Sequence, residues 1–90
     1  MTKKDIDIKS KLDSIVWTVC KINQDTANTA RFSITKNGLT VSFYETKLEI
    51  VTFLCVILYD DPHIIHKLRD CEKRLLSEFR RSNQNTRRTI

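Results

Sequence analysis

The fold is decided by residues 30–44, ARFSITKNGLTVSFY, in which two alternating polar and apolar segments flank a turn signal. Asn37-Gly38 is favoured in a two-residue type I′ turn, because both central residues of that turn need positive φ. Such a turn fixes the register and places Ile34 opposite Val41. The stretch therefore predicts an antiparallel β-hairpin that contains the chain's single glycine.

The predicted register gives the hairpin two different faces. The apolar face, expected to enter the core, pairs Ile34 with Val41 and Phe32 with Phe43. The polar face, expected to meet water, pairs Thr35 with Thr40, Ser33 with Ser42 and Arg31 with Tyr44. Because side chains alternate along a strand, the assignment of one residue to a face determines all the others.

Residues 48–59, LEIVTFLCVILY, have the β-branched and aromatic content of a central strand, although their length also suits a buried helix. We interpret them as a third strand. Asp60-Asp61-Pro62 follows, where Asp61 can cap free amides and Pro62 suits the first helical position. A helix is predicted over 62–82, with an apolar stripe of Ile64, Ile65, Leu68, Cys71, Leu75, Leu76 and Phe79.

The N-terminal segment is predicted to be extended and then helical. Residues 5–9 alternate, which indicates a short strand or an extended arm. Ser10, with Asp13 three residues on, is interpreted as a helix start. Residues 11–23 then form a helical stripe of Leu12, Ile15, Val16, Val19 and Ile22.

These elements predict one small α+β domain over residues 1–82. Its order is α-β-β-β-α, with two helices packed on one face of an antiparallel sheet and a possible short leading strand. Residues 83–90 have no core pattern and are predicted to be a flexible basic tail. Ninety residues suffice for one thin core.

Composition and cysteine content narrow the range of partners and of cellular locations expected for the chain. It has 16 basic and 11 acidic residues, a net charge of +5, which favours nucleic acid, an acidic protein surface or a membrane surface but is also common in domains without such partners. The longest apolar run, residues 50–59, is too short for a membrane span. Cys20, Cys55 and Cys71 are odd in number and irregularly spaced, and we interpret them as buried apolar residues of a reducing compartment. The expected location is intracellular, cytoplasmic or nuclear, since no secretory signal opens the chain.

Catalytic patterns are weak. His63 and His66 lie three residues apart but lack a third ligand at matching spacing, and Asp61 is already assigned to a helix cap. A single glycine excludes a glycine-rich phosphate loop. We therefore expect no enzyme, no metal and no cofactor.

The last helix is rich in cations that could contact phosphate. Arg69, Lys73 and Arg80 form an acid-free row beside the apolar stripe, at about 100–140° from Leu68. A second row contains acidic residues as well as cations. The predicted nucleic-acid-binding residues are Arg69, Lys73, Arg74, Arg80, Arg81, Arg87 and Arg88.

Three further residues are predicted to bind a partner. Trp17 points about 160° away from the apolar stripe of its helix. Arg31 and Tyr44 lie on the outer face of the hairpin, where Tyr44 could stack on a base, which favours RNA over DNA. The primary hypothesis is a small nucleic-acid-binding (RNA or ribonucleoprotein) module. The alternative is a protein-interaction subunit of a homo- or hetero-oligomeric complex, such as a dimer. A virus- or phage-encoded inhibitor of a host protein is a special case of this alternative.

Overall fold

The computed structural model describes residues 2–88, with side chains described for residues 2–83. The elements are α1 (Lys3–Asp25), β1 (Thr29–Ile34), β2 (Gly38–Glu45), β3 (Ile50–Leu58) and α2 (Ile64–Arg88). The strands form one antiparallel sheet in the order β1-β2-β3. The predicted α-β-β-β-α architecture is confirmed. None of the described helices combines the length and the apolar composition needed to cross a bilayer.

Helix α1 begins well before the predicted start, so the leading strand predicted over 5–9 is wrong. The Thr2 hydroxyl accepts a hydrogen bond from the Asp5 N–H (3.1 Å), and the Asp5 carboxylate accepts one from the Thr2 N–H (3.3 Å). This capping box starts the helix eight residues upstream of the Ser10 signal. Ile8 then packs against the core and extends the apolar stripe of α1 toward the N-terminus.

The hairpin is confirmed, but its register is shifted by two residues. Ile34 lies opposite Leu39, and the Thr35 N–H donates to the Gly38 carbonyl (2.9 Å). The turn is therefore centred on Lys36-Asn37, and no glycine in the described chain has positive φ, so the predicted type I′ turn at Asn37-Gly38 is wrong. A shift of two preserves the alternation of side chains, and the predicted faces are therefore retained. Val41 and Phe43 are buried as expected, but the prediction that Phe32 and Ile34 enter the core is wrong, because both are exposed near the end of the hairpin.

The register shift has a physical cause in the Thr35 side chain. Its hydroxyl accepts hydrogen bonds from the backbone N–H groups of Asn37 (3.2 Å) and Gly38 (3.3 Å). Threonine hydroxyls stabilise turns in this way without needing positive φ. The local side-chain contact thus favours a turn one residue earlier than the Asn-Gly signal indicates.

Gly38 is required by the neighbouring strand. A Cβ at this position would lie 2.3 Å from the carbonyl oxygen of Ile57 on β3. The glycine therefore permits the close approach of β2 to β3.

The third strand is confirmed for residues 50–58, but it lies at the sheet edge, not in the centre. A β-bulge at Thr52 separates the pairs Phe43–Phe53 and Tyr44–Val51. Both helices pack on the core face of the sheet, with α1 next to β1 and α2 next to β3. The fully buried apolar residues come from all layers: Ile15, Val19, Ile22, Ala30, Leu39, Val41, Phe43, Ile57, Ile64, Leu68, Cys71 and Leu75.

The start of α2 confirms the role of Asp61, whose carboxylate accepts a hydrogen bond from the His63 N–H (2.8 Å). The helix begins at Ile64, so Pro62 lies in the preceding turn and not at the first helical position. It continues to Arg88, past the predicted end at residue 82. The buried Ser82 accepts a hydrogen bond from the Asn28 side chain (2.7 Å), which holds this part of α2 against the loop before β1. The flexibility of residues 83–90 stays a prediction.

Replacing Gly38 with alanine should destabilise the fold by about 1–3 kcal/mol, the usual range for overpacking, because the new methyl group meets backbone that cannot rotate away. The check is urea unfolding followed by circular dichroism. Asn37→Ala, in the same turn with an exposed side chain, is the matched control and should change stability little. Equal stabilities of the two variants would contradict the role of Gly38.

Candidate functional site

The most unusual surface of the molecule is the outer face of the sheet, which neither helix covers. Four aliphatic side chains of β3 lie on it, each 51–65% exposed; this outer-face strip consists of Val51, Leu54, Val56 and Leu58. Scattered exposed aliphatic residues are normal on proteins, whereas a contiguous row marks an interaction surface. The strip is therefore the first candidate for a functional site.

Strand pairing explains how the strip forms. Ser42 of β2 lies between Arg31 of β1 and Leu54 of β3, and these three side chains share the outer face. The bulge at Thr52 brings Val51 onto this face as well, opposite Tyr44. Consequently β1 and β2 contribute polar groups to the outer face, and β3 contributes its aliphatic row.

Two of the three predicted partner-binding residues belong to this surface. Arg31 and Tyr44 line a shallow hollow of about 300 Å³ together with Thr29, Ser42 and Val51. Trp17 does not join them, because it lies on α1 in the helical layer. Its side chain is 57% exposed, as its helical position predicts, and the Lys21 ammonium lies 5.9 Å from the ring centroid.

The predicted cationic residues of α2 divide into paired and unpaired groups. Arg81 pairs with Glu45 and Glu78, and these carboxylates raise its pKa, Glu78 more than Glu45. Arg74 also pairs with Glu78 (3.6 Å) and lies over the ring of Phe53, 5.2 Å from its centroid. The molecule's own carboxylates therefore partly neutralise this second row.

The first row is unpaired. Arg69, Lys73 and Arg80 are exposed and make no ion pair with any carboxylate in the described part of the chain. Lys73 and Arg80 line a shallow hollow of about 340 Å³ with Leu76 and Ser77. The side chains of Arg87 and Arg88 lie outside the described residues.

An open groove of about 580 Å³ runs between β3 and α2. Cys55 of β3 and Cys71 of α2 line it. Burial raises the pKa of both thiols, that of Cys71 to about 12. The two groups are therefore neutral thiols at physiological pH and add apolar surface to the groove.

The remaining candidates for chemistry are dispersed. Cys20 is exposed and Cys55 is half-buried, so the expectation that every cysteine is buried is confirmed only for Cys71. His63 and His66 are both exposed. His66 lies 3.4 Å from Asp70, and residues 2–88 contain no group of three His, Cys, Asp or Glu side chains that could hold a metal. The Lys67 ammonium, followed by the His63 N–H, lowers the pKa of Asp61, in keeping with its capping role.

The sequence contained a signal for the outer-face strip. Our interpretation of residues 50–58 as a central strand did not make use of it. Residues 50–58 are apolar on both faces, a pattern typical of strands that are covered on both sides. With two helices available, both on one face, the second face of β3 stays uncovered.

Comparisons with known proteins show no relative of this chain. No family model matches it, and neither curated proteins nor solved structures show a significant match. The function must therefore follow from the geometry of the chain itself.

The raised pKa of Cys71 predicts a loss of stability at alkaline pH. The unfolded thiol ionises near its ordinary value of 9.0, whereas the folded thiol keeps its proton up to about pH 12. Since the folded state binds more protons in this window, its stability falls as the pH rises from 9 toward 12. Denaturant unfolding across this range should show a shallower fall for Cys71→Ala than for the wild type.

Cys20→Ala, which removes an exposed thiol, is the control for this measurement and should keep the wild-type slope. Identical slopes in all three proteins would contradict the assignment of Cys71 as a buried neutral thiol.

Proposed function

We propose that this chain is a protein-interaction subunit that assembles with another protein through the outer face of its sheet. The observation that carries the proposal is the outer-face strip, four neighbouring aliphatic side chains that are each more than half exposed. Aliphatic side chains bind protein surfaces by the hydrophobic effect. They offer neither a charge for phosphate nor a flat ring for a base.

The energy available from the strip is considerable. Full burial of a Val or Leu side chain is worth roughly 1.5–3 kcal/mol, so covering the exposed half of four such residues contributes about 3–6 kcal/mol. Association costs on the order of 4–15 kcal/mol in lost translational and rotational freedom. The strip can therefore drive assembly only when further contacts accompany it.

The polar half of the same face can supply some of those contacts. Arg31 and Tyr44 lie beside the strip, and both residue types are enriched in protein interfaces. An aliphatic row flanked by an arginine, a tyrosine and hydroxyl groups has the mixed composition of an interface.

Site-specific photo-crosslinking at Tyr44 tests the proposal. A benzoylphenylalanine at this position lies on the outer face, beside the strip and away from the free edge of β3. In the cells that make the protein, irradiation should yield a covalent protein adduct that survives nuclease treatment. The same probe at Lys9, an exposed position on α1, is the matched control and should yield none.

Two outcomes would contradict the proposal. One is a Tyr44 probe that gives no adduct although the protein is folded. The other is an adduct that nuclease removes, which would assign the outer face to nucleic acid.

A second candidate function is nucleic-acid binding through Arg69, Lys73 and Arg80. It is favoured by their lack of carboxylate partners in the part of the chain that the structure describes. Exposed cations without acidic neighbours can neutralise phosphates and release counterions.

The measurement for this candidate is the salt dependence of binding to mixed-sequence RNA. Three phosphate contacts with single-stranded RNA should give a log–log slope of about −2, and the triple variant R69Q/K73Q/R80Q should lose nearly all of it. The control K4Q/K9Q/K36Q removes the same charge from exposed lysines elsewhere and should bind as the wild type does. Equal weakening by both variants would show only non-specific attraction to a basic protein.

A further inference from the structure

We propose that this chain pairs with a second copy of itself, joined through the free edges of the two β3 strands in antiparallel orientation. The product is a dimer with one continuous six-stranded sheet. This inference goes beyond the proposed function, because it concerns the free edge of β3 and leaves the outer-face strip open to the partner proposed above.

The hydrogen-bond pattern shows which backbone groups of β3 are unused. The Tyr59 N–H donates to the Asn37 carbonyl (3.0 Å), so Tyr59 belongs to a hydrogen-bonded pair between β3 and β2. Such pairs alternate with pairs whose N–H and C=O groups point away from the neighbouring strand. Leu54, Val56 and Leu58 are in the second class, and their backbone groups are directed toward the free edge.

One further contact agrees with this alternation. The Leu58 carbonyl accepts a hydrogen bond from the Asp61 N–H (3.2 Å), which requires it to point away from β2. No hydrogen bond from the described residues reaches the outward groups of Leu54 or Val56. A strand laid beside β3 would satisfy them while its side chains extend the outer-face strip.

The opposite edge of the sheet is partly closed. By the same alternation, the backbone groups of Ala30 point outward from β1. The Asn23 side chain binds both of these groups, because it accepts a hydrogen bond from the Ala30 N–H (2.8 Å) and donates one to the Ala30 carbonyl (2.9 Å). Proteins protect sheet edges with such contacts, with charges or with proline. Residues 53–58, which follow the bulge at Thr52, contain neither a charged residue nor a proline, so this part of the β3 edge lacks such protection.

The charged side chains near the free edge of β3 bear on which strand can pair with it. The groove beneath β3 is lined by Lys67, Asp70, Lys73 and Arg74. Asp61 pairs with Lys67 and Glu78 pairs with Arg74, whereas Lys73 has no carboxylate partner among the described residues. Two of the three rim cations are therefore already paired within the chain.

A neutral, apolar strand can pair with β3 without a charged partner on this rim, and β3 itself is such a strand. Pairing two copies brings no like charges of β3 together and joins the two outer-face strips into one surface. The interface is isologous, so each copy uses its β3 edge once. Because the β1 edge is partly closed by Asn23, assembly stops at the dimer.

The test compares single proline substitutions on the two sheet edges. Val56→Pro removes an outward N–H from β3 without removing a hydrogen bond to β2. Phe32→Pro makes the matched change on β1, where residue 32 also points outward. Light scattering of the purified chain should give twice the 10.6 kDa monomer mass for the wild type and for Phe32→Pro. Val56→Pro should raise the dimer Kd about 30-fold or more. The substitution is present in both copies of the symmetric dimer and so removes two N–H donors, and the loss of each net hydrogen bond weakens Kd by roughly a factor of five.

A second pair of variants keeps the test decisive if Val56→Pro does not fold. Leu54→Lys places a charge at the β3 edge and should also give monomers. Ser33→Lys places the same charge on the outer face of β1 and should leave the dimer intact. Circular dichroism verifies the fold of each variant.

Three results would overturn the second-copy inference: a monomeric wild type at all concentrations, equal effects of Val56→Pro and Phe32→Pro, or a dimer unaffected by Val56→Pro and Leu54→Lys. A monomeric wild type that still gives the nuclease-resistant Tyr44 adduct would overturn this inference and leave the proposed function standing. A dimer sensitive to Val56→Pro without any Tyr44 adduct would confine the interface to the strand edge and contradict the proposed function of the outer face.

Discussion

The pairing of β2 with β3 is the constraint on which the rest of the structure depends. It brings Gly38 so close to the Ile57 carbonyl that no side chain fits between them. It also sets the alternation by which Leu39, Val41 and Phe43 face the helices and Leu54 and Val56 face solvent. A shift of one residue in this pairing would exchange the core for the outer-face strip, so one register determines both the stability of the domain and its exposed surface.

The two edges of the sheet differ in how their backbone groups are satisfied, and this asymmetry supports the proposed pairing of β3 with a second copy. Asn23, at the end of α1, occupies the edge of β1 with its amide group. No comparable side chain reaches β3 from the described elements, although β3 is the longest and most apolar strand. A monomer gains nothing from an apolar edge, whereas an assembling subunit uses it.

Charge has a smaller role than the net value of +5 indicates. Glu45 and Glu78 are held by Arg81, and Glu78 also contacts Arg74, so the side of α2 next to β3 is partly neutralised. Among the described side chains of α2, only those of the acid-free row (Arg69, Lys73 and Arg80) are cations without a carboxylate partner. This distribution of charge is consistent with the proposed protein partner at the sheet. It supports nucleic-acid binding as the second candidate function only for the acid-free row of α2.

The sequence by itself determined the element order, the hairpin faces, the cap at Asp61 and the exposure of Trp17, because alternation, helical periodicity and capping act over a few neighbouring residues. It did not determine the hairpin register, where the Thr35 hydroxyl outweighs the Asn-Gly preference. Nor did it determine the start of α1, since a polar and apolar alternation over five residues does not distinguish a strand from the first turns of an amphipathic helix. Only the tertiary structure decided that β3 is an edge strand with one uncovered face. That outcome depends on where two helices pack, and packing joins residues far apart in the chain.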